Sequence, residues 1–521
     1  MDAAEKPTTA AVPSKTVAAI DIGANSIRMV VAEVLPDGRV EALERLHRAV
    51  RLGQDAFRRG RLGTESMNSA IAILRDYRQM LTLYRVERVR AVATSAVREA
   101  GNSDSFINRV FMATGLNLEV IATSEESRLT VSAVREAVGD ALSVNQGEAL
   151  IAEAGGGSTL LTVLDNGEIA AAQSLRLGSI RLQELFSTSE EPPERSAELL
   201  RYHIANVISG LKNSMPLTLV RSFVAVGGDA RFAGREVGKP IGTSDLYSVA
   251  RGALDKLVER CEHFTAEELA KRYGLPFTEA ETLMPALLVY QRLLASTRAR
   301  QMIVSRVSMR DGLLMDLART VTGQEDKSLV AGVIHSAMSL AAKYHVDAEH
   351  AEHVANVAMR LFDELQPEHG LGNRHRLLLR VAALLHEAGA FISSNSHHKH
   401  SYYLIMNSEI FGLNRDEIEL AAHIARYHRR SGPKPSHAEY IALPRESRVV
   451  VNKLAAILRV ADALARGRGR PIPELRFERR GGEFIVYATA ITDLDLERRS
   501  LAAKGDMFED VYGMSIRLEE A

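Results

Sequence analysis

One device occurs twice in the N-terminal part of the chain. A strand-like run from Thr16 to Ile22 turns through Asp21-Ile22-Gly23-Ala24-Asn25-Ser26 and returns as Ile27 to Val34. The second copy runs from Ile151 to Thr159, Ile-Ala-Glu-Ala-Gly-Gly-Gly-Ser-Thr, and its returning strand, Leu160 to Leu164, continues through Asp165-Asn166-Gly167-Glu168 into Ile169 to Leu175. Asn-Gly between two β-prone runs is a hairpin signal. Two copies of strand, small-residue turn and returning strand predict a duplicated α/β architecture with a turn at the end of each sheet. Consecutive glycines permit left-handed or strained backbone angles, so successive N–H groups can converge on an anion, with Ser158 and Thr159 adding donors. Glu153 would then face a metal. Taken alone, the triple glycine fits a flexible hairpin connection as well.

The intervening sequence supports an α/β reading. Thr64 to Tyr84 carries Ala70, Ile71, Leu74, Tyr77, Leu81 and Tyr84 at helical spacing. Val89 to Thr94 and Leu118 to Ala122 read as strands, with Phe106 to Phe111 as part of a helix between them. In the second copy, a helix is expected around Glu194 to Met215 and a strand over Ser222 to Val226, followed by the turn Gly227-Gly228-Asp229. Helices near Asp245 to Glu262 and Glu279 to Leu294 precede a strand at Ile303 to Val307 and then Arg310-Asp311-Gly312. Strands alternating with helices indicate α/β domains. After about Asp326 the pattern becomes helical, over Leu329 to Lys343, His350 to Leu365, Leu377 to His386 and Ile418 to Tyr427. Of the 16 histidines, 13 lie between His335 and His437, which fits either a metal site or an accumulation of polar helix faces. From Glu474 alternating strands return around Gly481-Gly482.

A chain of 521 residues exceeds one core, and its length suggests about three or four domains. With 65 basic and 66 acidic residues, no bulk field points to nucleic acid or membrane, so a polyanion site must be local. The only cysteine, Cys261, forms no intramolecular disulfide, and the composition fits a reducing cytoplasm. Met1 to Lys15 reads as a disordered tail without an apolar core, and no apolar run approaches the ~20 residues of a membrane span.

Asp21-Ile22-Gly23-Ala24-Asn25-Ser26, Glu153-Ala154-Gly155-Gly156-Gly157-Ser158-Thr159 and Val226-Gly227-Gly228 resemble, in order, the phosphate loops and later glycine turn of the actin-like, sugar-kinase and heat-shock ATPase superfamily. Thr94 to Ala100, Val120 to Arg128 and Arg176 to Ser179 narrow the likeness to the exopolyphosphatase and guanosine-pentaphosphate phosphohydrolase family. His386 to Gly389, His398 to Ser401 and Arg426 to Arg429 resemble the helical HD-like domain of its longer members. The resemblance implies two duplicated actin-like (ribonuclease H-like) domains at 16–128 and 129–325. It further implies an all-α HD-like domain at 326–473 and a small α+β domain at 474–521.

The same resemblance implies roles for particular residues. Glu126 matches the second glutamate of the family's paired-glutamate motif, the catalytic base. A carboxylate that orients or deprotonates water suits phosphoanhydride hydrolysis. The residues alone allow another reading, because Thr123-x-x-Glu126 is also a helix capping box. Arg98, Asn25, Ser26, Gly156, Gly157 and Ser158 match phosphate-binding positions, although an arginine at a strand end can equally be solvated or salt-bridged. Glu153 and Asp21 would serve magnesium or manganese. Two departures stand out: Glu153 replaces the family's aspartate before the triple glycine, and Leu160 replaces its glutamate after Ser-Thr. Asp229 also replaces a small or hydroxyl residue. In the helical part, His350, His386, Glu387, His400, His428 and Asp462 align with an HD-type ligand set in which Glu387 stands for the usual aspartate. Lys399, Arg426, Arg429 and Arg430 would form a basic groove or a solvated charged face.

The expected activity is exopolyphosphatase, the removal of terminal phosphate from linear inorganic polyphosphate by a cytoplasmic homodimer. The rival substrate is guanosine pentaphosphate. An actin-like kinase or chaperone ATPase and a non-catalytic nucleotide-binding regulator are the other classes, and the arginine and paired-glutamate motifs argue against a kinase.

Overall fold

In the first strand, Lys15–Ile22 (β1), successive side chains alternate between two cores. Ala18, Ile20 and Ile22 pack with helices Thr64–Leu83 and Ser103–Thr114, whereas Val17 and Ala19 pack with helix Met309–Thr322. Burial on both faces explains why the strand reads as a nearly unbroken apolar run. The protein is described from a computed structural model, over residues 14–138, 147–186, 191–213, 215–242, 245–323, 327–429, 431–467, 474–489 and 494–520. The expected tail over 1–15 lies mostly outside the described residues. Its last residue, Lys15, already pairs with Val34 and donates from Nζ to the Val321 carbonyl at 2.9 Å. The chain divides into two units between Asp326 and Lys327.

The first unit carries the duplication. β1 runs antiparallel to Ser26–Val34 (β2), which runs antiparallel to Val40–Ala49 (β3). On its other side β1 runs parallel to Arg88–Ala93 (β4), and β4 to Leu118–Val120 (β5), giving the order β3-β2-β1-β4-β5. The second sheet contains Glu148–Ala154 (β6), Thr159–Asp165 (β7), Glu168–Leu175 (β8), Ser222–Val226 (β9), Lys239–Pro240 (β10), Tyr247–Ala250 (β11) and Gln301–Val304 (β12), ordered β10-β11-β12-β9-β6-β7-β8. Its β8-β7-β6-β9-β12 segment repeats the order and the parallel and antiparallel senses of the first sheet. Leu150, Ala152 and Ala154 of β6 enter a core with helices Pro193–Ser209 and Phe277–Ala295.

Three sequence expectations change. Tyr247 to Ala250, assigned to a helix, forms β11, because pairing with β12 (Tyr247 opposite Val304) satisfies its backbone before helix Arg251–Cys261 starts. The boundary at 128/129 falls inside one continuous helix, Thr123–Val138. Helix Met309–Thr322, expected in the second domain, packs on the first sheet through Met309, Leu313 and Leu317. At Gly312 a Cβ would run into the Leu129 carbonyl, so glycine there permits the close crossing of the 309–322 and 123–138 helices.

The second unit consists of helices including Lys327–Lys343, Ala348–Glu364, Asn373–Leu385, His397–Met406, Arg415–Arg426 and Arg445–Leu464, with the sheet Glu474–Arg480 (β13), Glu483–Thr489 (β14) and Ser515–Glu520 (β15). Phe484, Val486, Phe508 and Leu518 share one apolar core with Leu361, Leu385, Ile457 and Leu458. The two domains expected on either side of 473 are therefore one packed body.

Candidate active site

The two small-residue turns close in the same way. Gly23 N–H donates to the Ser26 carbonyl at 3.0 Å, and Gly155 N–H donates to the Ser158 carbonyl at 2.9 Å. In the second turn every glycine carbonyl is engaged. Ser179 N–H donates to Gly155, Ile180 and Arg181 N–H to Gly156, and Arg181 Nε to Gly157. In a planar trans peptide the next N–H points the opposite way from the carbonyl. The N–H groups of Gly156, Gly157 and Ser158 are thereby aimed away from helix Ser179–Phe186, on the side of the pocket these residues line.

The reason for the glycines differs from the sequence expectation. None of Gly155, Gly156 and Gly157 has a left-handed φ. The requirement is space: a Cβ on Gly157 would overlap Ser95 Oγ and the Phe57 ring, and one on Gly178 would overlap the Gly157 backbone. The third turn does need glycine for its backbone, since Gly227 has φ 120°. There Tyr290 Oη accepts from Ala154 N–H at 2.9 Å and donates to the Val226 carbonyl, holding the ends of β6 and β9 together.

The three turns open onto one pocket of about 420 Å³ lined by Asp21, Asn25, Ser26, Glu126, Glu153, Gly156, Gly157 and Ser158, among others. Eight residues expected at a catalytic, phosphate or metal position thus meet, drawn from three separate stretches. The Asn25 side chain, expected on phosphate, donates instead to the Thr278 carbonyl at 3.1 Å, so this residue fixes the loop.

Glu126 lies in the first turn of helix Thr123–Val138. Because that helix starts at Thr123, Thr123 is not the residue before it, and the Glu126 carboxylate turns to Arg98 Nη1 at 3.3 Å rather than back to the helix terminus. Burial pushes the Glu126 carboxyl up to about 7, against the pull of Arg98 and with repulsion from Glu153 and Asp21. A carboxylate poised near neutrality is suited to proton transfer. Arg98 also donates to the Ile121 carbonyl at 2.7 Å and is not among the residues that line the pocket, so it lies beside Glu126. Arg128 faces away too, held between Glu125 and Asp316 in a buried network that includes Arg90.

Other arginines line the pocket itself. Arg28, directly opposite Asp21 on β2, lines the pocket with Arg231 and Arg310. Burial and the nearness of Arg310 lower the basicity of both Arg28 and Arg231. Arg310 Nη1 pairs with Asp21 Oδ2 at 2.9 Å. The available signals were Ser26-Ile27-Arg28, Gly228-Asp229-Ala230-Arg231 and Arg310-Asp311-Gly312, each an arginine close to a turn. Asp229 joins them with a carboxyl raised to about 7 by burial and by Glu279.

The donor set suits a magnesium ion bound mainly through phosphate and water. Thr130 Oγ1 donates to Glu153 Oε2 at 2.9 Å, while burial, and then Asp21, raise the Glu153 carboxyl. A cation between the two carboxylates would relieve that repulsion. Leu160, directly across from Glu153 in the β6–β7 pair and 5% exposed, offers no further ligand. One or two carboxylates plus phosphate oxygens are enough for magnesium.

In the second unit His350, His386 and Glu387 place ligand atoms within 4.8 Å of one another. The His428 ring lies 4.9 Å from that of His386, and Asp462 Oδ1 is 4.0 Å from His386 Nε2. His400 is displaced by its neighbour, since His397 is the residue that meets His428. Of the expected basic groove, Arg430 lies outside the described residues. Arg426 is tied to Glu439 at 3.4 Å and stacks over Tyr402. Burial and then Arg429, followed by His397, Lys399 and Arg426, hold His398 down to about 4, so its surroundings are positive.

Residues 30–321 match the Ppx/GppA phosphatase family, and residues 334–483 match domain III of the same phosphatases. A guanosine-5'-triphosphate,3'-diphosphate pyrophosphatase of Vibrio vulnificus is 24% identical over 91% of this chain and 92% of its own. The crystal structure of an Aquifex aeolicus Ppx/GppA family member is 25% identical with a TM-score of 0.50, covering 60% of this chain and all of the other. An exopolyphosphatase structure from Cytophaga hutchinsonii, 22% identical with a TM-score of 0.53, covers 60% of this chain and 99% of its own and shares the fold. No helix among the described residues is long and apolar enough to cross a membrane.

Proposed function

The chain belongs to the Ppx/GppA phosphatase family, and from that premise we propose that it hydrolyses the terminal phosphoanhydride of linear inorganic polyphosphate with Glu126 as general base. The observation that carries this reading is the supply of guanidinium groups: five arginines (Arg28, Arg45, Arg231, Arg235 and Arg310) line the pocket beside five carboxylates (Asp21, Glu126, Glu153, Asp229 and Glu279), and Phe232 is the only phenylalanine, tyrosine or tryptophan among the lining residues. Guanidinium groups spread over a cleft suit successive phosphates, whereas a purine is commonly held by stacking. The full-length Vibrio relative favours a second reading, guanosine pentaphosphate, which presents the same terminal bond.

The terminal phosphoryl group would rest on the N–H groups of Gly156, Gly157 and Ser158, with Arg28, Arg231 and Arg310 opposing its charge. Glu126 accepts a proton from the attacking water as the phosphorus–oxygen bond to the leaving phosphate breaks. Arg98 keeps enough of the Glu126 population ionised near neutral pH for that transfer. Magnesium, held by Glu153 and Asp21, would supply neutralisation of the phosphate charge. Phosphate release measured side by side on polyphosphate and guanosine pentaphosphate tests the assignment. A higher kcat/KM on the nucleotide would replace the first reading with the second, and release from neither would remove both.

A further inference from the structure

Four helices of the second unit end or begin around a group of nitrogen donors that phosphoanhydride hydrolysis does not use. His350 sits in the first turn of helix Ala348–Glu364, fixed by its N–H bond to Asp347 Oδ1 at 3.1 Å. His386 closes helix Asn373–Leu385, and Glu387 follows it. His428 lies just beyond helix Arg415–Arg426, and His397 opens helix His397–Met406.

The tautomers follow from the backbone. A carbonyl can only accept, so the bonds from His386 Nδ1 to Ala383 and from His428 Nδ1 to Ala425, both 2.6 Å, put the proton of each neutral ring on Nδ1. Each Nε2 is left with a lone pair. His386 Nε2 is fully buried and has no hydrogen-bond partner. His397 Nδ1 also faces a carbonyl, that of Ser394 at 3.3 Å, yet His397 Nε2 and His428 Nε2 lie 3.1 Å apart. A proton on His397 Nε2 satisfies that pair, whereas the lone pair of His386 Nε2, orphaned in a dry interior, is unfavourable unless a cation takes it up. An Nδ1–H bonded to a backbone carbonyl is the usual support of a metal-binding imidazole.

We propose that the helical unit binds one divalent transition-metal ion, of the zinc, cobalt or nickel class, through His350, His386 and Glu387. Their ligand atoms lie within 4.8 Å of one another, close enough to converge on one ion. Two imidazoles and one carboxylate favour such a metal over magnesium, which prefers oxygen. Asp462, whose Oδ2 pairs with Lys504 Nζ, lies outside this converging group. The ion ties the start of helix Ala348–Glu364 to the end of helix Asn373–Leu385, and it stabilises the unit without taking part in hydrolysis.

The test uses the full chain, stripped with a chelator and titrated with cobalt(II). The wild type should take up one equivalent with ligand-field absorption bands, displaced by zinc and not by magnesium, and zinc should raise its thermal midpoint. His386→Ala, His350→Gln and Glu387→Gln should each weaken cobalt binding at least about tenfold. Should His386→Ala fail to fold, His350→Gln and Glu387→Gln, at less enclosed side chains, decide the matter. Cobalt affinity unchanged in those two variants, or uptake well below one equivalent by the wild type, overturns the proposal. In the second case a proton shared by His397 and His428 explains their approach.

Discussion

The Glu126 carboxylate and the Arg98 guanidinium stand 3.3 Å apart, with Arg98 pinned from behind by the Ile121 carbonyl at 2.7 Å. The pairing sets Glu126 between two influences: withdrawal from water raises its carboxyl, and Arg98 restrains the rise.

Glu126→Gln should therefore keep the fold and lose at least ~100-fold in turnover, the scale of a missing general base. A helix-capping role would instead cost about 1 kcal/mol of stability and spare the rate. Steady-state phosphate release and a thermal melt on the same preparation separate the two.

Arg98→Met should move the acid limb of the pH–rate profile to higher pH. The base works only when ionised, so with its carboxyl at about 7 the wild-type rate rises with pH through neutrality. Without the guanidinium the carboxyl climbs further and the limb follows. A raised KM with an unmoved limb would mean that Arg98 holds phosphate after all. Asp229→Asn should leave the limb in place, although its carboxyl also lies near 7.

Leu160→Glu should lower the magnesium concentration needed for half-maximal rate, because position 160 faces Glu153 across the β6–β7 pair. An unaltered requirement in a folded variant would show that this strand position does not reach the ion.

Gly157→Ala should destabilise the first unit by about 1–3 kcal/mol, the usual cost of overpacking, since the new methyl meets Ser95 Oγ and the Phe57 ring. Denaturant unfolding measures it. A neutral result would show that the loop, Ser95 and Phe57 shift freely.

Lys399→Glu combined with Arg429→Glu should reduce activity on long polyphosphate more than on short, and flatten the salt dependence of the long-chain rate. These cations, with Arg426, all act on the charge of His398. An unchanged ratio of long-chain to short-chain activity would defeat the idea of a polymer track in the helical unit.

What was legible in the sequence was local. The strand, turn and returning strand around Gly23 and Gly155 announce themselves through apolar runs and small residues, and the pocket forms where those turns meet. β3 was missed because its alternating Glu and Arg suit an exposed sheet edge as well as a loop. Arg28, Arg231 and Arg310 were missed as a group because they come from three distant elements, and only the packing of helix Met309–Thr322 on the first sheet brings Arg310 to Asp21. The bonds of Arg98 to Ile121 and Glu126 carried no sequence signal, because their partners lie more than twenty residues away. The glycines do line the pocket, but the reason glycine is needed was hidden, since crowding by Ser95 and Phe57 acts through side chains remote in the sequence.

The crossing at Gly312 and Leu129 has a mechanical meaning. The chain passes from the first sheet towards the second by way of the 123–138 helix and returns just before the 309–322 helix, so the sheets are joined by two covalent passages rather than one. Two bodies on a single tether can swivel in any direction. Two bodies joined at two neighbouring points can only turn about the line through them, like a door on its pins. The two helices cross with their backbones in contact at Gly312 and Leu129, so both passages would share one pivot there.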